Sequence, residues 1–390
     1  MDGPLTDGPL TDGPLRIGVV GVGALTLRAV LPHLTQADVT DRVRVVALCD
    51  PALERARQAA ARFGVPGAHP SLGEMIAAGG LDAVTVVSPI GLHFAHAREA
   101  LRAGLHVHVN KTMTTTVAEA DELIALAAER GLRIVASPGE VLRPQVTAMR
   151  RLLREGAIGE VAWAECGCAF GTYHEEEPER AAEGSLGGID PSWYFRLPGG
   201  GPMYDMTSYA LHQLTAVLGP ARRVTAFSGR RVPVRRFAGR DVATEADDNT
   251  LALLDFGDGV FALAFGTAGG GMNPQFGAPT IHGTKGVLDG VLLNGGPIAF
   301  EGRAETLHAP ISDWEAQMRT LPHVTGAHRA IPESHVFEDV MQLVDWVREG
   351  RASLATAEHA RHVIEIIEAA YLSAREGRAV DLRTTFDLPD

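Results

Sequence analysis

The chain has 390 residues, 45% of them apolar and 21% charged, the balance of a globular protein. That length exceeds one average core and predicts two domains. The net charge of −13 argues against a nucleic-acid partner, because gripping a phosphate backbone needs clustered cations. The short basic run 230–237 reads as a solvated strand edge or loop. No apolar stretch reaches the roughly 20 residues of a membrane span, so no membrane contact is expected.

The N-terminus lacks the basic and apolar regions of a signal peptide. It repeats "DGPLT", and Asp-Gly-Pro punctuation cannot propagate helix or strand, so residues 1–14 read as a tail. Cys49, Cys166 and Cys168 are too few for a disulfide framework, and they lack the second ligand pair of a structural zinc site. They read as reduced thiols of a cytoplasmic protein, with no metal.

Order begins with a short buried strand at 15–20, the turn Gly21-Val22-Gly23, and an apolar helix. A second strand ends at Asp50, and an amphipathic helix over 53–64 follows. Strands "LDAVTVVSP", "LHVHVN" and "LRIVASP" then alternate with helices. This alternation predicts right-handed crossovers and a doubly wound parallel sheet, a Rossmann domain over 15–137. Beyond it the pattern changes. Strands at 159–170, 222–232, 248–256 and 259–268, with a hairpin at "DFGDGVF", group together. Helices are expected at 143–155, 203–218, 336–349 and 355–377. Residues 138–390 therefore read as an α+β domain on an open, largely antiparallel sheet. Such a sheet has a face to cover, and a second subunit covers it well, which predicts a homodimer or homotetramer.

The glycine turn sits between strand and helix, where glycines let backbone approach a pyrophosphate and the helix N-terminus stabilises it. Gly21, Gly23, Ala24 and Leu25 are the expected contacts. Asp50, at the end of the second strand, suits the adenosine ribose hydroxyls and repels a 2′-phosphate, favouring NAD over NADP. Thr26 stands where the fingerprint has its third glycine.

The motifs "SPIGLH", "AREALRAGLHVHVNK" and "GGGPMYDMTSYALH" together resemble the glucose–fructose oxidoreductase / inositol dehydrogenase / MocA family. The resemblance covers roughly residues 15–380. It implies a dinucleotide-binding domain joined to a substrate domain, and oxidation or reduction of a hydroxyl on a sugar, cyclitol or related diol. It further implies nucleotide contacts from Ser88, Pro89, His93, Asn110 and Lys111. The family's Glu-Lys-Pro is here Asn110-Lys111-Thr112. With threonine in the proline's place, the Lys111–Thr112 bond is expected trans, or strained and held by the site. The family pattern Asp-x-Gly-x-His-x-x-Asp is here Asp205 to His212, with Tyr209 in the histidine position, as in the family's tyrosine-containing branches.

Hydride transfer from an alcohol needs a proton acceptor and a positive charge beside the developing alkoxide. Only Lys111 and Lys285 are lysines among 35 lysines and arginines, and Lys111 ends a parallel strand, where such sheets bind ligands. Asp205, Tyr209 and His212, at i, i+4 and i+7, share one helical face if 203–218 is helical. Lys111 would polarise the alcohol, and Asp205 would orient substrate or balance the lysine. Tyr209, ordinarily titrating near about 10, would become a workable acid/base beside Lys111. His212, titrating near neutrality, is the alternative proton carrier. The long polar loop 172–201 offers Tyr173, His174, Trp193 and Arg196 as a substrate wall. The function expected is an NAD(P)-dependent oxidoreductase for a secondary hydroxyl of a sugar, cyclitol or glycoside. The alternatives are a non-catalytic sensor of the same fold and an enzyme cycling a bound nucleotide between two substrates.

Overall fold

The computed structural model describes residues 13–171, 184, 186–237, 239–271, 277–302 and 319–388. The first domain is a six-stranded parallel sheet in the order β3-β2-β1-β4-β5-β6. Its strands are β1 (Leu15–Val20), β2 (Val43–Cys49), β3 (Gly67–His69), β4 (Ala83–Val86), β5 (His106–Val109) and β6 (Ile134–Ala136). Five of the six were expected near these bounds; the three-residue β3 was not, because glycine and proline interrupt it on both sides. The strand order reverses between β1 and β4, the switch point at which open α/β sheets bind ligands. The helices are α1 (Leu31–Leu34), α2 (Leu53–Phe63), α3 (Leu72–Ala78), α4 (His93–Arg102) and α5 (Val117–Glu129). α1 is preceded by a wider π turn, Thr26–Val30.

The second domain holds α6 (Pro144–Arg154), β7 (Val161–Ala169), a π turn at Met203–Thr207 and α7 (Ser208–Leu218). Next come β8 (Arg223–Gly229), β9 (Val234–Phe237), β10 (Arg240–Ala243), β11 (Asn249–Gly257) and β12 (Val260–Thr267). The predicted hairpin joins β11 to β12 with Gly257, Asp258 and Gly259 all at positive φ. β13 (Thr280–Gly283), β14 (Gly286–Asp289), β15 (Leu292–Leu293) and β16 (Gly296–Pro297) follow, then α8 (Ser334–Glu349), α9 (Ala357–Glu376) and β17 (Val380–Asp381). A nine-stranded sheet runs β16-β15-β14-β13-β7-β12-β11-β8-β17, antiparallel except where β12 pairs with β7. Period-two patterning explains its two faces. Ala252, Leu254, Ala262 and Ala264 turn inward onto α7 and α9, while Leu251, Leu253 and Phe261 turn out.

α8 crosses back to the first domain. Val336, Phe337, Val340, Met341, Val344 and Val347 pack in one core with Leu15, Ile17 and Val45. Chain position alone assigned it to the second domain; its apolar face finds its partners in the first. No helix among the described residues is long and apolar enough to cross a membrane, and none of their His, Cys, Asp and Glu side chains form a metal-binding group of three. All three cysteines are free and buried.

Candidate active site

β5 delivers Asn110 and Lys111 at its C-terminal end, and the Met203–Thr207 turn delivers Asp205. The Lys111 Nζ forms an ion pair with Asp205 Oδ1 and donates to the Asp205 carbonyl at 2.8 Å. The same Nζ lies 5.0 Å from the centre of the Tyr209 ring, a cation–π distance. Three residues of the predicted site thus come together.

The Lys111–Thr112 peptide is cis, so the trans expectation is corrected. Thr112 is gripped from both sides: its hydroxyl donates to the Tyr204 carbonyl, and its own carbonyl lies 2.8 Å from His93 Nδ1. The threonines after it also have partners. Thr115 donates through backbone and hydroxyl to Glu119, and Thr116 forms a capping box with Glu119 at the start of α5.

The expected lowering of the Tyr209 pKa and the expected place of His212 beside the lysine are both corrected. Burial, reinforced by Glu333, Asp205, Glu140 and Asp339, pushes the Tyr209 phenol well above its usual value, and Lys111 does not offset this. His212 does not join the lysine. The π turn takes more residues per turn than an α-helix, so it shifts the helical phase of the residues after it. The His212 ring packs against α9, 4.7 Å from the ring of His359, and burial drops its pKa to about 3.

The nucleotide candidates line the switch point. Gly21 has φ +96°, and a Cβ there would come within 2.9 Å of Val87 O and Ser88 N, so glycine joins the two loops. A Cβ on Gly23 would meet nothing within 4 Å, leaving open space before Ala24 and Leu25. Asp50 accepts from Val22 N (2.9 Å) and Ala52 N (2.8 Å), with Arg55 at 3.4 Å. A carboxylate offers about four lone-pair sites, so acceptor capacity remains for ribose hydroxyls. Asn110 Oδ1 is buried without a protein partner. Open space and an unused acceptor along one sheet edge fit a dinucleotide. Ser88 and Pro89 are half-buried, and Ser88 Oγ is 2.9 Å from His96. His93 is the exception. It is 1% exposed with both ring nitrogens against backbone carbonyls, Thr112 O and Ser88 O. It braces the loops and is not placed to touch a nucleotide.

Beside Asp205 a small cleft is lined by Phe170, Tyr194, Phe195, Met206 and Thr267. Trp193 does not line it but stacks on Tyr194 with ring centroids 3.7 Å apart, and Arg196 is exposed. Tyr173 and His174 fall outside the described residues. Sequence reasoning chose Trp193 and Arg196 from this run and not Tyr194 and Phe195, which nothing local distinguishes. Phe195 is fixed by Arg235, whose guanidinium lies 4.0 Å from its ring and pairs with the fully buried Asp248.

Comparison with known proteins agrees with this fold. Residues 15–137 match the model for an oxidoreductase family with an NAD-binding Rossmann fold, and residues 150–382 match the C-terminal alpha/beta domain of the same family. A scyllo-inositol 2-dehydrogenase (NADP(+)) of Bacillus subtilis is 25% identical over 313 residues, 77% of this chain and 79% of the relative. A dTDP-3,4-didehydro-2,6-dideoxy-alpha-D-glucose 3-reductase of Streptomyces violaceoruber is 32% identical over 243 residues, 62% of this chain and 64% of the relative. The WlbA dehydrogenase of Bordetella pertussis, solved with NADH and UDP-GlcNAcA, shares the fold with TM-score 0.72 at 21% identity, covering 96% of this chain and 99% of that one.

The two glycines should separate in experiment. Gly23→Val is expected to keep the melting temperature, since its side chain enters open space, yet to weaken NAD binding at least about tenfold in calorimetry. Gly21→Ala should instead lower the melting temperature, because its φ and its neighbours both resist a Cβ. Unchanged NAD affinity in Gly23→Val would move the pyrophosphate elsewhere.

Proposed function

Because the chain belongs to the glucose–fructose oxidoreductase / inositol dehydrogenase / MocA family of oxidoreductases, we propose that it interconverts a secondary hydroxyl and a ketone on a sugar, cyclitol or glycoside, at Lys111 and Asp205. The observation that carries this is the Lys111–Asp205 ion pair, set at the C-terminal end of β5 beside the aromatic cleft. A bound nicotinamide supplies the hydride acceptor or donor. The residues to hold the nucleotide are Gly21, Gly23, Asp50, Ser88 and Asn110. Asp50 favours NAD over NADP, although Arg55 beside it gives a 2′-phosphate a cation to approach.

Lys111 brings a compact cation to the oxygen on which negative charge develops. Asp205 balances that charge and fixes the ammonium. Tyr209 is protonated at rest, which suits a hydroxyl that gives a proton to the substrate oxygen and takes it back on reversal. Tyr194, half-buried at the cleft and backed by the buried Phe195, offers a flat apolar face to the C–H side of a sugar ring. The relatives' names, an inositol dehydrogenase and a deoxysugar reductase, support this substrate class. The buried free thiols suit a reducing cytoplasm.

We also propose that a second copy covers the outer sheet face. Phe227 is 82% exposed there and pairs across the strands with Leu251; Leu253, Phe261 and Trp163 are also exposed. So many large apolar side chains on one face mark an interface.

Lys111→Ala is expected to keep nucleotide affinity while turnover falls at least about 100-fold on a substrate found in a polyol and sugar panel. Wild-type turnover in that variant would end the assignment, and nucleotide binding without any turnover in the wild type would favour a sensor. Phe227→Glu should shift the mass measured by light scattering toward the monomer; an unchanged mass would place any interface elsewhere.

A further inference from the structure

Tyr209 Oη lies 2.9 Å from Nε2 of His335, a residue 126 positions later in the chain. Both side chains are 3% exposed, and their rings meet edge-on at 74° with centroids 5.4 Å apart. A phenol hydroxyl enclosed this far from water needs a protein partner. The start of α8 is itself anchored. Glu333, just before His335, is ion-paired with Arg28 on the π turn that follows the nucleotide loop. His335 is therefore tied through its neighbour Glu333 to the turn after the nucleotide loop while its own ring touches Tyr209.

The charges around the pair have opposite signs. Burial and the carboxylates Glu333, Asp205, Glu140 and Asp339 keep Tyr209 protonated. Burial and the basic groups Arg143, Lys111, His33 and Arg28 keep His335 neutral. A neutral imidazole has one N–H and one lone pair. If Tyr209 donates to His335, its hydrogen is turned away from any substrate. If His335 donates to Tyr209, the phenol hydrogen points away from His335 and can serve the substrate oxygen.

We propose that His335 is a positioning residue of the reaction centre, carrying its hydrogen on Nε2 and donating it to Tyr209 Oη. This rests on the dehydrogenase reading above. In the reducing direction the Tyr209 Oη–H bond breaks and an O–H bond forms on the substrate alkoxide. The negative charge passes to Oη, where the His335 N–H stabilises it until a proton taken up when the product leaves and the site opens restores the phenol. Oxidation runs the same exchange backward.

Nitrogen-15 NMR of the histidine-labelled full-length protein reads the tautomer without any turnover, with His335 assigned by difference from His335→Gln. Hydrogen on Nε2 is expected; hydrogen on Nδ1 overturns the proposal. In kinetics, His335→Phe should lower kcat about 10- to 100-fold, the worth of a hydrogen bond to a developing charge, with KM moving less than about threefold. His335→Gln, whose amide can donate from a similar position, should recover most of that loss. Equal losses in both variants, or none in either, overturn it. Lys111→Ala separates the two failures. Turnover lost there but kept in His335→Phe removes only the role of His335. Turnover kept in Lys111→Ala removes the reaction-centre reading.

Discussion

The ion pair between Lys111 and Asp205 joins the two domains at the centre of the proposed site. Its side chains are only 11% and 5% exposed. Two charges so far from water repay their desolvation only when geometry and further hydrogen bonds are good. Those supports are present: the Asp205 carbonyl takes a second bond from the ammonium, and the Tyr209 ring faces it. Removing either charge leaves the other buried and uncompensated, so the pair couples domain packing to the site's chemistry.

Around the pair, polar groups are used to brace backbone. His93 spans the loops after β4 and β5, Thr112 reaches the Tyr204 carbonyl, and the Tyr204 hydroxyl donates to Thr115 O at 2.7 Å. These bonds tie the end of β5 to the turn that carries Asp205. The threonine-rich run after Lys111 thus reads as a set of backbone anchors.

Much of this architecture was legible because it is local. Regular alternation of short apolar strands with amphipathic helices announced the parallel sheet, and a glycine turn with an acid at the next strand's end announced the nucleotide crevice. Lys111 stood out because the chain otherwise uses arginine almost exclusively. The features that escaped were non-local or depended on burial. The π turn spoiled the phase that linked His212 to Asp205. The pKa shifts of Tyr209 and His212 come from enclosure, which no spacing reveals. His335 reaches Tyr209 from a distant helix, and α8 crosses to the other domain's core.

The most direct test of the central claim is a crystal structure of the wild-type protein with NAD and a polyol that it oxidises. The reacting hydroxyl should lie within hydrogen-bond distance of Lys111 Nζ, with the sugar ring against Tyr194. A reacting carbon held away from Lys111 and Asp205, among other side chains, would contradict the account.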